Sequence, residues 1–517
     1  MKKPNILFIM SDQHNAKVVG HQGHQCVQTP SLDRLATEGI RFDRCIVQNP
    51  ICTPSRVSFF SGQYCHNHGY YALSGPTPLG LPSVFSVFRS AAYRTAAVGK
   101  IHCPKGWVES DADFFEDVAG TSYGGNTTYR HYLEERKLLD VYLLENKLRQ
   151  SHADPDISDR LAEDPSGYRR ICDARPSIIE YEDSPEGYSV RRAIEFMKAS
   201  VDASHPFFAF VGFSKPHHIY APADRFWRLY ENREIPLPPN AWYDMKGKAP
   251  NLRGEAEYWR ESDWAVCSPG DYQSARARKL RGYLGNVSHM DHAVGELMAW
   301  IDSSSLQEDT IVVYTADHGD FACEHGSMEK APGISSDAII RVPLIVRRPG
   351  ETKAGKAVTT IVESVDLAPT LCALAGIPPM PTADGRDLRS AINGEDSDNG
   401  AREGLCENQW SKSFYKDNFH LVFYPRILFA EEYHDGFGEL YDLAADPWEM
   451  HNLYFDERYA RTVNDLERSL LARIITTTRP VTGGWGVSAN CYDERYLEID
   501  GKVAPSRYSQ LETKHYI

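Results

Sequence analysis

Three continuous apolar runs, each the length of one β-strand and each ending in a polar stretch, limit what this 517-residue chain can fold into. Pro4–Met10 leads into Ser11-Asp12-Gln13-His14, Pro206–Phe213 into Ser214-Lys215-Pro216-His217-His218, and Thr310–Tyr314 into Thr315-Ala316-Asp317-His318-Gly319-Asp320. A fourth strand, Arg94–Gly99, delivers Lys100-Ile101-His102. A strand that is apolar at successive positions, rather than at every second one, must be covered on both faces, which is the condition of a parallel sheet between helices. Ligands bind such sheets at the carboxyl ends of the strands. Asp12, Gln13, Lys100, His102, His217, Asp317 and His318 are therefore expected along one sheet edge, with Lys100 and His102 on the same side of their strand.

Cys52-Thr53-Pro54-Ser55-Arg56 lies between the strand-like Arg41–Val47 and the helix-like Val57–Gly62. Proline suits the first turn of a helix, so Cys52 is expected at or just before a helix N-terminus, where free N–H groups and the dipole favour an anion. Arg56 lies one helical turn on and can reach the same place. Further helices are expected at Pro30–Ala36 (capped by Thr29, stopped by Gly39), Leu81–Tyr93, Ala275–Ser303 and Val365–Ala375, with a strand at Val342–Arg347. Residues 108–189 and 224–272 lack clear periodicity and read as irregular insertions, a lid and a substrate wall. Beyond the Pro/Gly-rich Pro378–Asp384, short aromatic strands such as Phe419–Tyr424 and Ile427–Ala430 begin. The chain thus divides into a catalytic α/β domain at 1–380, with a large, mostly parallel sheet sandwiched by helices, and a smaller C-terminal α+β domain at 381–477 on an antiparallel sheet. Residues 478–517 form a tail expected to wrap a neighbouring subunit, making a homo-oligomer, or to wrap its own catalytic domain.

The Cys52 pentapeptide resembles the signature of the type I, formylglycine-dependent sulfatases of the alkaline phosphatase superfamily. Thr29–Ala36, Asp291 with Val294-Gly295, Thr315–Gly319, and Leu440–Glu449 with Asn452-Leu453 match motifs of that family in its order, so the resemblance spans about residues 4–455. It implies an arylsulfatase-like sulfuric ester hydrolase acting on a small organic sulfate (aryl, alkyl or sugar). Cys52 would be oxidised to formylglycine by a formylglycine-generating enzyme, and its hydrate would be the nucleophile. Asp12, Gln13, Asp317, His318 and the formylglycine would hold one divalent ion. Arg56 would support the nucleophile, Lys100 and Lys330 would bind the anion, His102 would contact the hydrate, and His217 would protonate the departing alcohol, with His218 the competing choice. The usual pattern has Asp after the first metal-binding Asp and Asn after the second; here Gln13 and His318 stand there. That exchange removes one negative charge and adds an imidazole donor, which leaves the ion open between Ca2+ and Mn2+. The same two pairs look like those of the phosphonate monoester hydrolase branch. The alternatives are therefore a phosphonate monoester or phosphodiester hydrolase using the same site, and an unmodified anion-binding protein with a bare thiol.

The formal net charge of −15 argues against nucleic acid and anionic membrane as partners, so positive charge for an anionic substrate has to be gathered locally. No run reaches the roughly 18 apolar residues of a membrane span. Ile6–Met10 is too short for a signal peptide, and eleven cysteines without framework spacing fit a reducing compartment, so the expected location is the cytoplasm.

Overall fold

The computed structural model describes residues 3–78, 80–119, 127–150, 174–266, 272–348, 350, 354–380, 382–393 and 403–479. Strands β1 (Asn5–Asp12), β2 (Ile40–Ile46), β3 (Arg94–Gly99), β4 (Phe114–Asp117), β5 (Phe207–Pro216), β6 (Thr310–Ala316), β7 (Arg341–Arg347), β8 (Lys356–Val358) and β9 (Val362–Glu363) form one sheet. Its order is β4-β3-β5-β1-β6-β7-β2-β8, with β9 also on β2. The sheet is mostly parallel, and β7 runs antiparallel to both of its neighbours.

Alternate residues of the central strands enter two different cores, which is why their sequences are apolar throughout. Ile6, Phe8 and Met10 of β1, with Phe208 and Phe210 of β5, face the helices Cys52–Ser61, Val84–Ser90 and Leu367–Leu374. Leu7 and Ile9, with Ala209 and Val211, face the helices Pro30–Glu38, Pro185–Asp202 and Tyr272–Ser303. Register brings the polar ends together: Ser11 pairs with Ala316 on one side, and Asp12 with Pro216 on the other.

A second sheet, β10 (Glu403–Glu407), β11 (Lys412–Lys416), β12 (Phe419–Phe423) and β13 (Gly438–Asp442), is antiparallel throughout. Phe414, Leu421 and Leu440 pack on Val463, Leu466 and Leu470 of the Ala460–Thr477 helix. Tyr415 and Val422 on the other face pack on Phe321, Ile334 and Ile340 of the large domain, so the small sheet is an integral wall of the catalytic body.

Several expectations change. Residues 108–189 are not all insertion: Phe114–Asp117 is the sheet's edge strand, and the Pro185–Asp202 helix covers β3 and β5. The expected strand at Ile427–Ala430 is a run of turns, and the helix expected over Leu81–Tyr93 is confined to Val84–Ser90. The second irregular stretch contains the helix Pro250–Val266. All but the first two residues of the expected tail lie outside the described residues. Among the described residues, no helix is long and apolar enough to cross a membrane.

Thr29 does not cap the Pro30–Glu38 helix; its hydroxyl accepts from Gly20 N at 2.8 Å and bonds Asp33. Asp291, on the long helix, takes over, accepting from Leu32 N at 2.8 Å and Ser31 N at 3.0 Å. This is a cap supplied across an interface, so local sequence does not reveal it. Asp291→Ala is expected to lower unfolding stability by about 2 kcal/mol in urea titrations while leaving turnover intact; no change would show that solvent replaces the cap.

Candidate active site

Cys52 is the first residue of a helix, Cys52–Ser61, whose ten residues are all buried. Phe59 and Phe60 fix it to the sheet, with the Phe60 and Phe210 rings 4.9 Å apart and edge to face. The helix has no polar face turned to solvent, so its polar side chains must find partners in the protein. Thr53 donates to the carbonyls of Leu73 (3.0 Å) and His102 (3.1 Å), and Ser55 to the carbonyl of Asp317 (2.5 Å). Residue 52 is thereby tied to the ends of β3 and β6 by its neighbours.

Arg56, fully buried, donates from Nε to Asp317 Oδ2 at 2.8 Å, approaches Asp12 Oδ2 at 3.3 Å through Nη2, and reaches the Lys100 carbonyl at 2.7 Å through Nη1. Lys100 Nζ makes an ion pair with the same Asp12 Oδ2. Its approach depends on two glycines: a Cβ on Gly99 would lie 2.0 Å from the Gly212 carbonyl oxygen, and one on Gly212 would lie 2.0 Å from that of Lys100. The close crossing of β3 and β5 permits no side chain at either point.

With their Oδ2 atoms held by cations, Asp12 and Asp317 turn Oδ1 towards each other's neighbours. Asp12 Oδ1 is 3.8 Å from Cys52 Sγ and 3.7 Å from His318 Nε2, and Asp317 Oδ1 is also 3.7 Å from His318 Nε2. His318 Nε2 lies 3.2 Å from Cys52 Sγ, while its Nδ1 is bonded to the Gly319 carbonyl at 2.8 Å. That bond places a proton on Nδ1 and turns Nε2 to the cluster; burial lowers the imidazole, but Asp317 and Cys52 outweigh it and raise the group, so Nε2 holds a proton whose place a metal ion would take. One ligand atom from each of Asp12, Cys52, Asp317 and His318 lies within 4.8 Å of all the others, and all four residues are buried. Two carboxylates, an imidazole and the side chain at 52 fit one divalent cation.

Electrostatics agree with this placement. Burial raises the Asp12 carboxyl, but Lys100, Arg56 and His318 outweigh it and hold the group below the usual carboxylate range. Asp317 is pushed up, first by burial and then by the charge of Asp12. Burial and Asp12 raise the Cys52 thiol, yet Lys330, His318 and Lys100 together bring it well below an ordinary cysteine. Within a chain of net charge −15, the position of residue 52 is one that favours negative charge.

Lys330 Nζ donates to Gln13 Oε1 and His217 Nε2, each at 2.7 Å. His217 Nδ1 donates to the His218 carbonyl at 2.7 Å, which fixes Nε2 as the acceptor of the Lys330 bond. His218 turns instead to Glu329, 2.6 Å away, so the geometry places His217 beside Lys330 and not His218. His102 lines the same cavity, and its Nδ1 is buried without a hydrogen-bond partner in the protein. Gln13, expected among the metal ligands, adjoins the cluster with its amide oxygen facing Lys330 and its amide nitrogen donating to Asp320 Oδ2 at 2.5 Å.

Asp320 escaped the sequence reading. Besides Gln13 it accepts from Tyr220 OH (3.0 Å), Ala322 N (2.7 Å) and Glu329 N (3.0 Å), and burial pushes it up to about 6. Its position three residues after Asp317 was visible, but its partners come from three separate segments.

The cavity in front of Cys52 measures about 370 Å3. Tyr142, Glu145, Ser177 and Ile179, from the stretch read as a lid, line it together with Leu73. No described residue of 224–272 does; that stretch borders a separate cavity of about 530 Å3 around Trp242 and Tyr243. A substrate wall was expected there, and the carboxyl ends of β3 and β5 open towards the other segment.

The Sulfatase family model matches residues 4–377, and the model of the N-sulphoglucosamine sulphohydrolase C-terminal domain matches residues 323–475. The chain is 25% identical to an N-acetylglucosamine-6-O-sulfatase of Bacteroides thetaiotaomicron, over 91% of this chain and 86% of that one. It is 26% identical to an arylsulfatase of Clostridium perfringens, over 91% and 94%. Its structure superposes on the phosphonate monoester hydrolase of Agrobacterium radiobacter with a TM-score of 0.71 and 19% identity, covering 94% of this chain and all of that one.

Proposed function

The chain belongs to the sulfatase family, a family of sulfuric ester hydrolases, and from that premise we propose that it cleaves an organic sulfate monoester to an alcohol and inorganic sulfate at residue 52. The observation that carries this reading is the buried helix start where Cys52 meets Asp12, Asp317, His318, Lys100 and Lys330. Oxidised to formylglycine and hydrated, residue 52 carries two hydroxyls, one to attack sulfur and one to expel sulfate afterwards, a pair that a thiol does not offer. Asp12, Asp317, His318 and residue 52, with Gln13 alongside, would hold a divalent ion, which when bound would supply positive charge to the sulfate oxygens. The imidazole among oxygen donors favours Mn2+ over Ca2+.

The chain's own residues account for the rest. Arg56 orients both carboxylates from behind and offsets their charge. Lys100 and Lys330 flank residue 52 and bind the sulfate oxygens, offsetting the negative charge that would repel the attacking hydroxyl. His102 offers its unpaired ring nitrogen to the residue-52 side chain or to the ester. With Lys330 engaged on the sulfate, His217 in its protonated form delivers the Nε2 proton to the leaving oxygen and is left neutral, with Nδ1 pinned to the His218 carbonyl so that the ring cannot rotate away. The mixed apolar and hydrogen-bonding wall of Leu73, Tyr142, Glu145 and Ser177 suits a hydroxylated ring such as a sugar.

Gln13 and His318 favour a second reading, a phosphonate monoester or phosphodiester hydrolase with the same machinery. Steady-state kinetics of the Mn2+-loaded, formylglycine-bearing enzyme on 4-nitrophenyl sulfate and 4-nitrophenyl phenylphosphonate separate the two. The expected kcat/KM is at least about tenfold higher for the sulfate. A preference of that size for the phosphonate would transfer the chain to the second reading.

A further inference from the structure

The loop that carries Lys330 has a backbone that does not hold itself in place. Between Asp320 and Lys330, Ala322, Cys323, His325 and Glu329 have φ of 45°, 74°, 52° and 63°. The left-handed region is costly for residues with a Cβ, and a run of them persists only where the surroundings enforce it. Internal bonds, Phe321 N to the Glu329 carbonyl (2.8 Å) and Cys323 N to that of Ser327 (3.0 Å), close the loop on itself, and Gln13, Asn15 and Lys17 tie its first half to the large domain through Asp320 and Glu324.

The small C-terminal domain supplies the anchor on the far side of Lys330. Glu449, 1% exposed, follows β13 in Asp446-Pro447-Trp448-Glu449. Its Oε2 accepts from Ser336 Oγ at 2.7 Å and Asp337 N at 3.0 Å, and faces His325 Nε2 at 3.7 Å. Its Oε1 lies 2.5 Å from Nδ1 of His420, whose ring is stacked on Tyr415 at 4.1 Å and 8° and is therefore a rigid partner. Lys248 donates to the Glu449 carbonyl at 2.8 Å. One carboxylate thus bonds the loop six and seven residues after Lys330 and stands against His325, five residues before it.

We propose that Glu449 is a positioning residue which, from the C-terminal domain, holds the His325–Asp337 loop so that Lys330 stands against His217 and Gln13 at the sulfate-binding position. It rests on the sulfatase reading. Glu449 touches neither substrate nor metal ligands; it acts through Lys330, at whose Nζ a displacement of about 1 Å is enough to cost up to about 100-fold in rate.

The test is a double-mutant cycle on kcat/KM for 4-nitrophenyl sulfate, with hydrogen exchange of the 320–337 amides measured on the same proteins. Glu449→Ala is expected to lower kcat/KM by about 10- to 100-fold, to speed exchange in the loop and to leave exchange in β1 unchanged. Glu449→Gln, which keeps an acceptor for Ser336 and Asp337, is expected to stay within about threefold of wild type. In a Lys330→Ala background, Glu449→Ala is expected to change the residual rate by less than about twofold. Ser336→Ala repeats the cycle at smaller amplitude if Glu449→Ala fails to fold. The proposal is overturned by an equal loss with and without Lys330, by faster loop exchange at unchanged kcat/KM, or by unchanged loop exchange. A wild-type enzyme that carries formylglycine and hydrolyses no sulfate ester would instead fault the sulfatase reading, and the exchange comparison would still judge the clamp.

Discussion

Cys52→Ala is expected to remove turnover, lowering kcat/KM on an aryl sulfate by at least about 10⁴-fold while the protein remains folded. The side chain is buried at the mouth of the cavity, and the polar groups of its own helix are held by other partners: Arg56 by Asp317 and Asp12, Ser55 by the Asp317 carbonyl, Thr53 by Leu73 and His102. Removing one sulfur therefore leaves the frame of the site intact, and loss of activity reports chemistry rather than collapse. In active wild-type protein made with a formylglycine-generating enzyme, the peptide containing residue 52 is expected about 18 Da below its cysteine mass, since oxygen replaces sulfur and two hydrogens are lost. Cys52→Ser separates attack from release. Serine has one hydroxyl, so it can take a sulfuryl group but has no second hydroxyl to expel it, and a stable adduct of about 80 Da is expected on that peptide after exposure to substrate. Full turnover by protein whose residue 52 retains the cysteine mass would overturn the formylglycine mechanism, whereas an intact cysteine with anion binding and no hydrolysis would leave the anion-binding alternative for the bare thiol.

Asp317→Asn is expected to damage metal content, rate and stability together. Asp317 gives Oδ1 to the cluster and Oδ2 to Arg56, both in a region without solvent access. An amide keeps the shape and one oxygen but cannot satisfy both a cation and a buried guanidinium. Elemental analysis is expected to show metal falling from near one equivalent to well below it, with kcat/KM lower by at least about 10³-fold. Because Arg56 stays buried and charged with half its compensation gone, unfolding stability is expected to fall by about 3–5 kcal/mol. The double variant with Arg56→Met, which removes the stranded charge, is expected to recover much of that stability and none of the activity. Retention of metal and rate in Asp317→Asn would place the ion elsewhere in the cavity.

The helix bearing Cys52 and the four polar strand ends were legible because each rests on short-range rules. Uninterrupted apolar strands require a covered parallel sheet, the strand ends fix which residues share an edge, and Pro54 marks a helix start. Those rules put Asp12, Asp317 and His318 on one edge although 305 positions lie between the first and the last of them, and the resemblance to the sulfatase motifs grouped them with Cys52. The strand wrongly placed at Ile427–Ala430 and the overlooked β4 mark where such rules weaken. Both are short segments whose conformation depends on what lies beside them rather than on their own periodicity.

The sequence by itself determined the fold class and the site edge, because periodicity, helix starts and local spacing are properties of neighbours along the chain, and its resemblance to the sulfatase signature pointed to Cys52 as the proposed nucleophile. Only the tertiary structure decided the pairings: which histidine meets Lys330, that Asp291 caps a helix remote in sequence, that Asp320 ties Gln13 to the Lys330 loop, and that Glu449 reaches across from the small domain. Each of these is a buried polar group whose partner is chosen by packing, since burial imposes the need for a hydrogen bond but the sequence does not say which distant segment meets it.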